Sequence, residues 1–124
     1  MLNSMKLLKT KGTKTAKNVL SLGQAQDLKG IGLNGGVLTI KAMTTITELF
    51  ESPVLADNLA VLRTVCRNIS TNPIRNMATV GGNLTCRYTW TEMGAVMIAL
   101  DAKMHFLSPD GKESVMPAED FFKN

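Results

Sequence analysis

A polar, glycine-bearing stretch at residues 72–83 (Asn-Pro-Ile-Arg-Asn-Met-Ala-Thr-Val-Gly-Gly-Asn) constrains this chain more than any other feature. It interrupts two apolar segments and must be held by both. Gly81 and Gly82 lack a Cβ, so backbone there can approach a neighbour or a ligand closely and can take positive φ. Thr79 and Asn83 flank the pair with a hydroxyl and an amide, each able to donate and to accept. Successive exposed N–H groups in such a bend form a small concavity for anions. A tight turn between two packed elements satisfies the same residues.

At 124 residues the chain is one domain at most, or part of one. Its 44% hydrophobic and 19% charged content fits a soluble globular domain with a real core. No apolar run reaches membrane-spanning length. The lysine-rich start has no apolar stretch of the secretory kind after it, so a cytoplasmic protein is expected. The net charge of +4 lies in one place. Lys6, Lys9, Lys11, Lys14 and Lys17 stand in the first twenty residues without an acid, and the rest is near neutral. That distribution, with one Trp and one Tyr, argues against a nucleic-acid partner. Cys66, Cys86 and the single His105 do not make a metal-binding pattern, so no metal site is expected. Cys66 reads as core. Cys86 reads as a small buried residue or one near a ligand.

Taken in order, residues 1–17 read as a basic segment that closes an element begun earlier. Residues 18–22 read as a short buried strand. Residues 28–33 and 37–42 flank Asn34-Gly35-Gly36, a hairpin signal, with Leu38, Ile40 and Ala42 toward the core. Thr45 and Glu48 have capping-box spacing. Leu55, Leu59, Leu62, Cys66 and Ile69 recur at helical spacing, with Asp57 at the start and Arg63 and Arg67 toward the end, as the helix dipole favours. Asn72-Pro73 ends that helix. Thr91 is placed to cap a helix over 92–100 that is apolar nearly all round and so expected to be deeply buried. Residues 103–108 and 112–116 flank the Pro109-Asp110-Gly111 turn as an antiparallel pair. Phe121 and Phe122 must pack on something. The fold class is α+β: a small antiparallel sheet of hairpins with two or three packed helices.

Three series of residues carry a family resemblance: residues 18–22 followed by 28–31 and 38–46; residues 74–83; and the tail at 99–103, 109–111 and 121–122. Together they resemble the FAD-binding domain of molybdenum-dependent hydroxylases, which include the xanthine dehydrogenases and carbon-monoxide dehydrogenases. The resemblance implies the second subdomain of a PCMH-type FAD-binding fold over residues 18–124, with residues 1–17 a remnant of the preceding subdomain. It places Thr79, Val80, Gly81, Gly82 and Asn83 on FAD, the glycines through backbone amides. It puts Glu92 where the family has an aspartate and Ile69 near the flavin ring, although Ile69 also reads as helix core. Arg75 reads either as a cofactor-phosphate partner or as a member of a surface ion pair. Lys41 departs from the family's glycine. The family's other phosphate-binding loop would precede Met1.

The implied function is the FAD-binding component of a molybdenum-containing oxidoreductase, passing electrons from iron–sulfur clusters through FAD to an acceptor. No catalytic acid, base or nucleophile is implied. The implied partners are a molybdopterin-binding large subunit, an iron–sulfur small subunit and a chain supplying the first FAD subdomain. The alternative is a truncated structural module of that family that does not bind FAD on its own. Apolar surface left by the missing subdomain would favour self-association as a homo-oligomer.

Overall fold

In the computed structural model of the chain, residues 18–56, 59–86 and 92–123 are described. They fall into two compact units, divided between Cys86 and Arg87. The basic segment, Asp57, the Thr91 cap and residues 87–90 lie outside the described residues.

The first unit begins with an extended run. Residues 18–22 form no strand, and Val19 and Leu20 are 77% and 83% exposed. The expected buried strand is therefore absent, because among the described residues no strand pairs with its backbone or covers its side chains. A short 3-10 turn, Gln26–Leu28, leads into the hairpin of β1 (Ile31–Asn34) and β2 (Val37–Ile40). Asn34 pairs with Val37, so the central turn residues are Gly35 and Gly36, at φ 56° and 77°. Positive φ at both positions is the condition for a two-residue hairpin turn that matches strand twist. Leu38 and Ile40 turn toward cover and are half-buried, while Ala42 is exposed.

Thr45 caps α1 (Ile46–Glu51) as its spacing with Glu48 requires. The Thr45 hydroxyl accepts from the Glu48 N–H at 3.1 Å, and the Glu48 carboxylate accepts from the Thr45 N–H at 2.7 Å. α2 (Ala60–Asn68) is shorter than the periodicity suggests. Leu55 and Leu59 precede it, although Leu55 is still buried. α1 and α2 pack together, with Ile46, Leu49, Leu55, Leu62, Val65 and Cys66 forming the core. Each such aliphatic side chain contributes about 1.5–3 kcal/mol when fully buried.

Asn72-Pro73 does not simply end a helix. It starts α3 (Asn72–Arg75), with proline in the first turn where no N–H is needed. The true stop is Ser70, at φ 50°. The glycine pair also departs from expectation. Gly81 and Gly82 lie inside α4 (Val80–Thr85), and neither has positive φ. A bend gives way to a helical turn because Thr79 caps it: its hydroxyl accepts from the Gly82 N–H at 3.2 Å.

The second unit comprises α5 (Glu92–Ala99), the hairpin of β3 (Lys103–Leu107) and β4 (Glu113–Pro117), and α6 (Ala118–Lys123). α5 is not buried all round. Met93, Gly94 and Met97 are buried, but Ala95, Ile98 and Ala99 are exposed. The unit offers cover for only one face of the helix. Asp101, at φ 51°, ends it, and the Ala102 N–H reaches back to the Met97 carbonyl at 2.9 Å. Phe121 packs against Phe106 at 5.5 Å and edge-on to Phe122 at 4.9 Å. Gly94 leaves room for Phe122, whose ring would lie 3.0 Å from an added Cβ. The α+β class stands, with hairpins and six α-helices among the described residues. No described helix is long and apolar enough to cross a membrane.

Candidate functional site

Residues 78–81 are stitched to residues 42–46 through their backbones. Ile46 donates to the Ala78 carbonyl at 2.9 Å, Val80 to the Thr44 carbonyl at 2.8 Å, and Gly81 to the Ala42 carbonyl at 2.9 Å. Thr45 and Thr79 face one another as an antiparallel bridge. The ledge beneath is itself anchored. Thr44 is 1% exposed, and its hydroxyl accepts from the Gly30 N–H at 3.1 Å while donating to the Gly30 carbonyl at 2.9 Å. Buried backbone groups need such partners, and here they set where α4 begins.

These bonds decide what the segment offers a ligand. The N–H groups of Val80 and Gly81 are taken by carbonyls of the ledge. That of Gly82 is taken by Thr79 Oγ1, and that of Asn83 by the Thr79 carbonyl. The expected anion-binding concavity of free amides is therefore not formed. Gly81 does serve close approach, but to the protein itself. A Cβ added at Gly81 would sit 2.9 Å from both the Cβ and the carbonyl oxygen of Ala42. Contacts under 3.0 Å of this kind force one element to move.

Side chains are what remain. Asn83 Oδ1 is buried and has no hydrogen-bond partner among the described residues. A buried acceptor left unpaired is costly, so it marks a place for a donor. Thr79 Oγ1 accepts one bond, and its hydroxyl proton can be given to another group. The Val80 side chain is in the core, 3% exposed. Ile69 caps the C-terminus of α2 and is half-buried. Glu92 opens α5 in the second unit, exposed, with its carboxylate in the first helical turn. The first unit thus brings together Thr79, Val80, Gly81, Gly82 and Asn83. Ile69 closes a neighbouring helix of the same unit. Lys41 is exposed.

Among the described residues, Arg75 is held by backbone carbonyls and an amide oxygen and forms no ion pair. Its Nη1 donates to the carbonyls of Arg67, Ile69 and Ser70 at 3.1, 3.0 and 2.8 Å, and its Nη2 donates to Asn72 Oδ1. Sequence reasoning missed this, because nothing in the spacing of Arg75 shows that the helix before it stops at Ser70. Nearby Cys66 is fully buried, and burial pushes its thiol up to about 11, against a smaller downward pull from Arg75. It is core, as its place on the helix face implies.

The chain matches the family described as the FAD binding domain in molybdopterin dehydrogenase over residues 3–124. It is 28% identical over 106 residues to the carbon monoxide dehydrogenase medium chain of Hydrogenophaga pseudoflava, covering 86% of this chain and 37% of that one. It is 32% identical over 96 residues to a putative xanthine dehydrogenase FAD-binding subunit of Escherichia coli, covering 77% of this chain and 33% of the relative. Among solved structures it resembles carbon monoxide dehydrogenase from Hydrogenophaga pseudoflava lacking the Mo-pyranopterin moiety of its molybdenum cofactor. That match has a TM-score of 0.89 and 25% identity, and covers 98% of this chain and 42% of the other. The chain spans less than two-fifths of the length of these curated relatives. By the family match across nearly its whole length, this chain belongs to the FAD-binding domains of the molybdopterin dehydrogenases.

Proposed function

We propose that this chain is an FAD-holding part of a molybdenum-containing oxidoreductase, and that its side chains, not its backbone amides, touch the cofactor. The observation that carries this reading is the buried, unpartnered Oδ1 of Asn83, at the end of the Thr-Val-Gly-Gly-Asn run. FAD has donors suited to such an acceptor: the ring imide N–H and the ribityl and ribose hydroxyls. The residues present therefore fit the group. Asn83 would accept from it, and the Thr79 hydroxyl would donate to it. Gly82 would leave the adjoining helix surface free of a side chain, while Gly81 lets α4 seat against Ala42. Ile69, at the end of α2 in the same unit, completes the proposed set through an apolar side chain.

FAD, when bound, supplies the electron-transfer chemistry. The protein's part is to bind, orient and exclude. No residue of this chain need act as acid, base or nucleophile. In the proposed complex, electrons arrive from iron–sulfur clusters and leave to an acceptor. A molybdopterin-binding large subunit and an iron–sulfur small subunit are the proposed partners. In support, the relatives are named as medium chains and FAD-binding subunits.

A second reading, a module that binds FAD only with further polypeptide, is favoured by one feature. Val19, Leu20 and Leu22 are exposed apolar side chains in a run that pairs with no strand among the described residues, a surface suited to another segment or to self-association. Purification with an absorbance scan, followed by FAD titration, separates the two readings. Saturable quenching of FAD fluorescence, weakened about tenfold or more in Asn83→Leu, supports the first. A colourless protein that leaves FAD fluorescence unchanged supports the second.

A further inference from the structure

Arg75 is more heavily engaged than a surface arginine needs to be. Three carbonyls at the end of α2, those of Arg67, Ile69 and Ser70, converge on one of its guanidinium nitrogens. A helix C-terminus carries partial negative charge, and bonds from a cation to its carbonyls are charge-assisted. Ser70 holds a left-handed backbone, at φ 50°, in a residue with a Cβ. A conformation of that kind persists only where its surroundings enforce it. The neighbouring residue extends the arrangement. The Thr47 hydroxyl donates to Asn76 Oδ1 at 2.6 Å, and the Ala78 N–H, bonded to the Ile74 carbonyl at 2.8 Å, leads straight into Thr79. α3 is thus a bracket, with Arg75 on the end of α2 and Asn76 on α1.

We infer that Arg75 is a positioning residue: its guanidinium clamps the corner at Ile69 and Ser70 and fixes where Ile69 stands relative to residues 79–83. Its part is that corner and not a phosphate, because both Nη1 protons and one Nη2 proton are already committed to the protein. The consequence for flavin placement rests on the function proposed above. The clamp itself does not.

Two variants test the clamp without any cofactor. Arg75→Lys keeps the charge, but an ammonium cannot span three carbonyls and an amide oxygen as a planar fork does. Arg75→Gln removes the charge. The readout is the alkylation rate of Cys66, mapped by mass spectrometry. Cys66 is fully buried in the last turns of α2, and its carbonyl accepts from the Ile69 N–H at 3.3 Å. Loosening the corner lets that turn open locally, so both variants should react about tenfold faster or more at Cys66, without matching acceleration at Cys86. Loss of charge alone acts the other way, since Arg75 lowers the Cys66 pKa and its removal leaves less thiolate. Unchanged or slower reaction in both variants overturns the inference. So does a wild-type rate in Arg75→Lys, or equal acceleration at both thiols, which marks global unfolding.

Titration with FAD and with ADP then separates clamp from flavin site. A clamp that places Ile69 weakens FAD binding in both variants and leaves ADP binding unchanged, whereas a phosphate ligand weakens both. If neither ligand binds wild type, the flavin reading fails and the alkylation result stands by itself.

Discussion

Two Gly-Gly pairs occupy the same unit for opposite reasons. Gly35 and Gly36 turn the hairpin at φ 56° and 77°, with nothing within 4 Å of an added Cβ on either. Gly81 and Gly82 lie in a helical turn without positive φ, and at Gly81 an added Cβ meets Ala42 at 2.9 Å. The first pair is chosen by backbone conformation and has space to spare. At Gly81 the constraint is space, with no demand on conformation. One dipeptide therefore answers two physical demands, and only the second bears on the candidate site.

Substitutions that exchange the two demands should separate the pairs. Gly81→Ala should have the largest effect, a loss of about 3 kcal/mol, because the new methyl meets backbone as well as a side chain. Chemical denaturation measures it, and a wild-type midpoint would break the comparison. Gly35→Ala should cost about 1–2 kcal/mol, from left-handed strain alone. Gly35→Asn should recover most of that loss, since asparagine tolerates the conformation. If the asparagine variant is as unstable as the alanine one, space matters in the hairpin too.

Thr79→Ala should cost about 1 kcal/mol through the lost helix cap, read from thermal unfolding. That value would show that the start of α4 is set by capping as well as by the ledge beneath it. The smallest change is expected for Ser70→Gly. Glycine relieves the left-handed strain but adds freedom to the unfolded chain, so stability should rise by no more than about 1 kcal/mol. A marked loss would mean that the Ser70 side chain, and not only its carbonyl, holds the corner.

Much of the fold was legible because it rests on local chemistry. The capping box of Thr45 and Glu48, the Gly-bearing hairpin and the Pro109-Asp110-Gly111 turn all act within a few residues. Each stands where its spacing puts it. What was hidden depends on distant partners. Residues 18–22 have strand-like composition, but a strand needs a neighbour to pair with; none stands beside them among the described residues, and Val19 and Leu20 are exposed. The helical state of Gly81 and Gly82 was hidden for the same reason. It follows from bonds to Ala42 and Thr44 some forty residues earlier, together with the Thr79 cap. The Arg75 clamp depends on where α2 stops, which the apolar spacing overshoots. For the candidate site, the motif gave the cofactor class. That the N–H groups of residues 80–83 are taken within the chain was hidden, because their acceptors are Ala42, Thr44 and Thr79.

That accounting is most directly tested by nuclear magnetic resonance on labelled protein titrated with FAD. The side-chain amide signals of Asn83 should move saturably, while the hydrogen-bonded N–H groups of Gly81 and Gly82 should resist hydrogen exchange equally with and without the cofactor. If Asn83 stays still while the two glycine amides shift most and lose protection, the cofactor is bound by backbone and the account is contradicted.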